Sequence, residues 1–191
     1  MTVNGCLLIF RILINFIKYS VYCLQKNKML QKHFQMLARY NTLANCRIYD
    51  TCALLSDAER KQVRPAFFKS IHGTLNHIMV GDRIWLTRFA GKEVPSTGLN
   101  AILYEDFAEL SAARTLEDQR IEDFVANLTE EFIKGTIKYV NNQGKLYEDP
   151  VELLITHFFN HQTHHRGQIH DMLTQTEITP PVLDMHRVIN P

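Results

Sequence analysis

Four of the chain's nine histidines, His157, His161, His164 and His165, crowd onto a short stretch of one predicted helix. Imidazole is the commonest metal-binding side chain, so metal chemistry is the first expectation. Residues four apart on a helix are rotated by about 40° and rise by about 6 Å, so either His157 with His161 or His161 with His165 can aim at one ion. Such an HxxxH pair is incomplete. A zinc-type site usually takes at least three protein ligands, and the third must come from another helix.

Two helices are expected to position these groups. Asp149-Pro150-Val151-Glu152 reads as an acidic N-cap, a proline at the first helical position and a glutamate at the third. From there Leu153, Leu154, His157, Phe158, His161, His165, Ile169 and Met172 recur at steps of three and four, which places the histidines on the face to be buried. The other helix spans Phe67 to Gly91. Its stripe of Thr74, His77, Gly81, Ile84 and Trp85 puts His77 on the apolar side, leaves His72 off it, and turns Asp82 and Arg83 outward or to the rim. Gly81, one turn beyond His77, lets a neighbouring helix approach closely.

The segments SIHGTLNHIMVGDRIWL and LLITHFFNHQTHHRGQIHDML together resemble the DinB-like (DinB/YfiT-related, damage-inducible) family of metal-binding proteins, from about Met29 to about Asp184. The resemblance implies an all-α fold: a four-helix bundle with long crossover connections, assembled as a homodimer. It also implies three histidine ligands, which correspond to His77, His161 and His165. His157 is then a core residue or a support, and His164, about 100° round the helix from His165, faces a neighbouring helix or a partner subunit. Arg166 reads as a solvated charge, an ion-pair partner or an anion clamp. Gln168 and Asp82 are candidates to orient ligand imidazoles through the ring nitrogen away from the metal. Family members with an assigned reaction include metal-dependent thiol-S-transferases and a thiol-dependent isomerase. The name does not signify DNA binding.

Coordination chemistry points the same way. Three neutral imidazoles leave a +2 ion under-neutralised with a position open, where a bound water or small thiol becomes acidic. A structural zinc site would be closed by four ligands, usually including thiolates, and no cysteine lies in either motif. The chain has no ExxH and no HExxH, which argues against a di-iron carboxylate bundle and a zincin. Zinc, nickel, iron or copper all suit imidazole. The expected activity is a metal-dependent transferase or hydrolase acting on a small molecule. The alternative is a metal-holding dimeric bundle without turnover, a stress-related sensor or scaffold. Metal occupancy is expected to fall as pH drops through about 6, since protonated imidazole cannot ligate.

At 191 residues, 46% hydrophobic and with a formal charge of +1, the chain fits one domain, 29–191, with a leftover N-terminal piece, 1–28. Lysines and arginines are scattered among acids, which excludes a concentrated nucleic-acid-binding face. Cys6, Cys23, Cys46 and Cys52 contain no CxxC and suit a reducing cytoplasm. Cys6 to Leu24 is nearly long enough to span a bilayer, but Arg11 and Lys18 interrupt it, and each central charge costs about 3 kcal/mol. An over-extended start or an extra hydrophobic helix is expected there, with a surface-lying anchor, and so membrane contact, as the alternative.

The remaining pattern predicts a first helix from Leu30 to Leu55 closed by Ser56-Asp57. A cap at Thr115-Leu116-Glu117-Asp118 should start a helix carrying Ile121, Phe124, Val125 and Leu128, preceded by a short helix near 105–113. Thr136 to Tyr147 alternates around Asn141-Asn142-Gln143-Gly144, which suggests a small hairpin. The tail after Thr179 reads as a loop packed across the helices.

Overall fold

The computed structural model describes residues 29–190 except 96 and 142, so the expectations for segment 1–28 lie outside the described residues. Among the described residues the chain is mostly helical, with one small sheet. In order come α1 (29–53), α2 (Asp57–Lys61), α3 (Ile71–Phe89), α4 (Phe107–Ala126), α5 (Glu130–Lys134), β1 (Thr136–Val140), β2 (Leu146–Pro150), α6 (Val151–Leu173) and α7 (Met185–Ile189). Among the described residues no helix is long and apolar enough to cross a membrane.

Several boundaries differ from the sequence reading because polar caps were used otherwise. Ser56 does not close α1; it starts α2 through a capping box, accepting from Glu59 N while the Glu59 carboxylate accepts from Ser56 N. The second long helix begins at Ile71 rather than Phe67, because Ser70 caps it by accepting from Gly73 N. Asp106 caps α4, which runs unbroken through Thr115, whose hydroxyl donates back to the Ser111 carbonyl. Asp149 does not cap α6 either. It belongs to β2 and accepts from the Tyr139 hydroxyl, while Pro150 stands at the N-cap and Val151 N donates to the Gly135 carbonyl.

β1 and β2 form an antiparallel hairpin in the register Thr136↔Pro150 to Val140↔Leu146, turned at Gly144 with φ +77°. This hairpin delivers the chain directly into α6.

The long helices bury two apolar layers. One joins Phe34 and Ala38 of α1, Trp85 and Phe89 of α3, Ile121 and Val125 of α4, and Phe158 and Phe159 of α6. The other joins Ile48 and Cys52, Ile71, Leu75 and Met79, Leu110 and Ala113, and Ile169 and Met172. Early α1 and early α6 therefore meet late α3 and late α4, so α1 and α6 run one way and α3 and α4 the other. The 90–106 connection must consequently cross back along the molecule. The tail packs across α1: Val188 is buried with Tyr40 and Ala44, and the Tyr40 hydroxyl donates to the Leu183 carbonyl.

Between the apolar layers lies a polar one, contributed by α1, α3, α4 and α6. Arg114 pairs with Asp82 and, at 3.0 Å, with Asp118. Asp118 also accepts from Asn41 and Asn45, whose side-chain oxygens accept from Arg166. All six residues are buried. Burial raises the Asp82 carboxyl to about 7 against the pull of Arg114. It opposes the Arg114 charge too, but Asp82 and Asp118 outweigh it and hold that guanidinium above its ordinary value.

Candidate metal centre

Helix α3 presents His77 and helix α6 presents His161 and His165, and their Nε2 atoms converge. The separations are 3.2 Å for His77–His161, 3.1 Å for His77–His165 and 3.1 Å for His161–His165. Zinc–nitrogen bonds of about 2.1 Å at tetrahedral angles place ligand nitrogens about 3.4 Å apart, so the cluster is close to the size of a cation site. These three form a group able to hold a metal ion.

The hydrogen bonds behind the rings decide what the convergent atoms are. His77 Nδ1 lies 2.7 Å from the Leu99 carbonyl, which can only accept, so Nδ1 carries the proton and Nε2 of the neutral ring is a bare lone pair. His165 Nδ1 likewise donates to Gln168 Oε1 at 2.8 Å, while the Gln168 amide nitrogen donates to His164 Nε2. A proton on His161 can close one contact of the triangle. The His77–His165 contact is lone pair against lone pair, and a cation between them would turn repulsion into ligation.

All three rings are kept neutral. Burial lowers the pKa of His77, partly offset by the Leu99 hydrogen bond. Burial, followed by repulsion from His165 and His77, lowers His161 to about 3. Burial, partly offset by Gln168, lowers His165 to about 4. An unfolded imidazole titrates near 6.5, so below that pH the folded metal-free chain binds fewer protons than the unfolded one. The stability these groups contribute is full above about 6.5 and is lost as pH falls toward 4 and 3. Metal-free protein followed by circular dichroism in urea should therefore show a falling midpoint from pH 7 to pH 4.5; a flat midpoint would contradict neutral folded-state rings.

Close packing explains the glycine between the helices. A Cβ on Gly81 would lie 2.8 Å from His161 Cε1. Gly81→Ala should push that ring from the triangle and weaken metal binding by about ten-fold or more, within the range measured for groups that orient ligands. Chelator competition would read this, and unchanged affinity would show that the ring has room to move.

The other sequence candidates fall in different places. His157 is exposed rather than on the buried face, with its ring edge-on to Trp85 at 5.4 Å and 6.1 Å from His161. Leu153, placed on the same stripe, is also exposed. His164 is exposed and touches the site through Gln168. Asp82 meets Arg114 rather than a ligand ring and is fully buried, not at the rim. Arg166 is not a solvated charge; it is buried and donates to Asn41, Asn45, Gln162 and Thr163. His72 is buried and bonds the Tyr104 carbonyl. Burial raises Cys52 to about 12, and partial burial with the Asp50 carboxylate raises Cys46, so neither is an activated thiolate.

Sequence reading missed Leu99 and Phe68. Phe68 stacks on His77 with ring centres 3.7 Å apart and meets His165 edge-on at 5.5 Å. Both belong to irregular segments, where no periodicity announces a contact. A cleft of about 1170 Å³ between the end of α3, residues 91–99 and the hairpin includes Leu99 but none of the three histidines.

Residues 29–191 match the family model described as the DinB family. The protein named DinB from Bacillus subtilis (strain 168) is 28% identical over 148 residues, covering 73% of this chain and 83% of that protein. A crystal structure of a DinB-like protein from Bacillus cereus ATCC 10987 superposes with a TM-score of 0.56 at 17% identity, covering 74% of this chain and 91% of that one. That likeness concerns the fold. With the family model spanning all the described residues, the chain belongs to the DinB family.

Proposed function

We propose that His77, His161 and His165 hold a divalent cation, zinc, nickel or iron, with a coordination position left open, and that the protein is a metal-dependent enzyme acting on a small thiol or on water. The observation that carries this reading is the pair of bare Nε2 lone pairs of His77 and His165, 3.1 Å apart with His161 beside them. A cation there supplies Lewis acidity, which makes a coordinated thiol or water acidic near neutral pH. The chain's own contribution is orientation and charge. Leu99 and Gln168 fix the rings through neutral groups, so the polar partners behind the ligands leave the ion's charge uncompensated and favour an anionic ligand such as a thiolate. Thiol-S-transfer is therefore the first reaction class and hydrolysis the second. A homodimer, a cytoplasmic setting and the four-helix-bundle arrangement with long crossovers complete the reading.

The test combines elemental analysis of purified protein with a screen of small thiols against electrophilic acceptors, using metal-loaded and chelated protein. About one divalent ion per chain, with thiol consumption lost on chelation and restored on reloading, is expected. One ion per chain without turnover of any thiol or hydrolysable substrate would support a metal-holding scaffold instead. Absence of bound metal after growth and refolding with zinc, nickel and iron salts would end the reading.

A further inference from the structure

We propose that Phe68 is a positioning residue for the metal centre, and that the arch 64–70 exists to hold its ring against His77. The inference rests on the triad being a metal site, as read above.

The arch carries three unfavourable features that converge on this ring. Lys69 adopts φ +66°, a left-handed conformation that costs a residue with a Cβ. Phe67 leaves a large apolar ring 79% exposed, yet meets Phe68 edge-on at 4.8 Å. Gly73 spends a residue of poor helix propensity in the first turn of α3, where a Cβ would lie 2.3 Å from the Phe68 carbonyl oxygen. That neighbour is backbone, so it cannot swing aside. Each feature has a local cost, and each places or braces Phe68.

The arch is also closed and anchored. Arg64 N donates to the Lys69 carbonyl at 2.6 Å, Lys69 N to the Ala66 carbonyl and Ser70 N to the Phe68 carbonyl. The Arg64 guanidinium is buried and donates to the carbonyls of Glu59 and Gln62, which ties the arch to the end of α2.

Gly73, His77 and Gly81 are spaced four apart along α3. The first glycine admits the backbone that carries Phe68, and the last admits the ring of His161. Phe68 lies nearly parallel to His77, with 16° between the planes. The imidazole is therefore held by the Leu99 carbonyl at one nitrogen and by an aromatic face along its plane. The consequence is a ligand ring fixed in direction before any ion binds, with one side of the triangle covered.

The test uses cobalt(II) as the probe, because its visible bands report ligand geometry independently of activity. Phe68→Leu keeps apolar volume, so folding is retained, but it removes the flat face. It should weaken cobalt(II) binding by about ten-fold, as removal of a ligand-orienting partner typically does, and shift the visible bands. Phe68→Tyr should restore both. Gly73→Ala, which displaces the Phe68 backbone, should change affinity and bands in the same direction. Wild-type affinity and an unchanged spectrum in Phe68→Leu, with its melting curve intact, would overturn the proposal. If the wild-type chain itself fails to take up cobalt(II), the metal-site reading fails first, which separates the two.

Discussion

Replacing His77, His161 or His165 singly by alanine will leave the purified protein with far less than one equivalent of divalent metal, whereas His157→Ala will retain it. Loss of an outer partner already costs about 10- to 100-fold in metal affinity, so loss of a ligating ring should cost at least about 100-fold. His157 is the informative comparison. It shares the four-residue spacing with His161, but its ring is exposed beside Trp85 and is not part of the triangle. A second measurement separates ligation from packing. His161→Ala removes one of the three facing nitrogens, so the metal-free variant should melt at the same temperature as the metal-free parent or higher, while the metal-loaded parent should be the most stable of the three. A His157→Ala protein stripped of metal, or a His161→Ala protein retaining it, would overturn the ligand assignment.

Asp82→Ala should destabilise the fold by about 3–5 kcal/mol, the range for breaking a buried pair by removing one partner. Arg114 is 3% exposed and would keep only Asp118, already shared with Asn41 and Asn45. The double replacement Asp82→Leu with Arg114→Leu should recover much of that loss, since removing both charges leaves neither uncompensated. Urea denaturation of the two single variants and the double would give the coupling energy. A loss below about 1 kcal/mol for Asp82→Ala would show that the pair is not acting as a buried pair.

These two predictions mark where sequence reading works and where it stops. The histidines of α6 and α3 were legible because helical periodicity converts spacing directly into direction, and the hairpin because alternation and a glycine turn are both local signals. The burial of Asp82 and Arg166 is not legible in the sequence because polar partners that hold them lie on other helices. Asp82 finds Arg114 32 residues on, and Arg166 finds Asn41 125 residues back. Thr115 looked like a cap for the same reason in reverse: a capping residue type is common inside a helix when its hydroxyl bonds the preceding turn, as here to Ser111. Leu99 and Phe68 sit in irregular segments, where no helical or strand period converts position into direction, so their contacts with His77 are not announced by spacing.

The triangle joins segments 84 and 88 residues apart in the chain. A cation shared by those rings is therefore a removable covalent-like staple, closing a circuit that spans α4, the hairpin and half of α6. Cross-links around circuits of that length restrict the unfolded chain by about 4.6 kcal/mol in the chain-entropy description, comparable to a disulfide. If the triangle holds such an ion, its supply would then govern how long the polypeptide survives proteases.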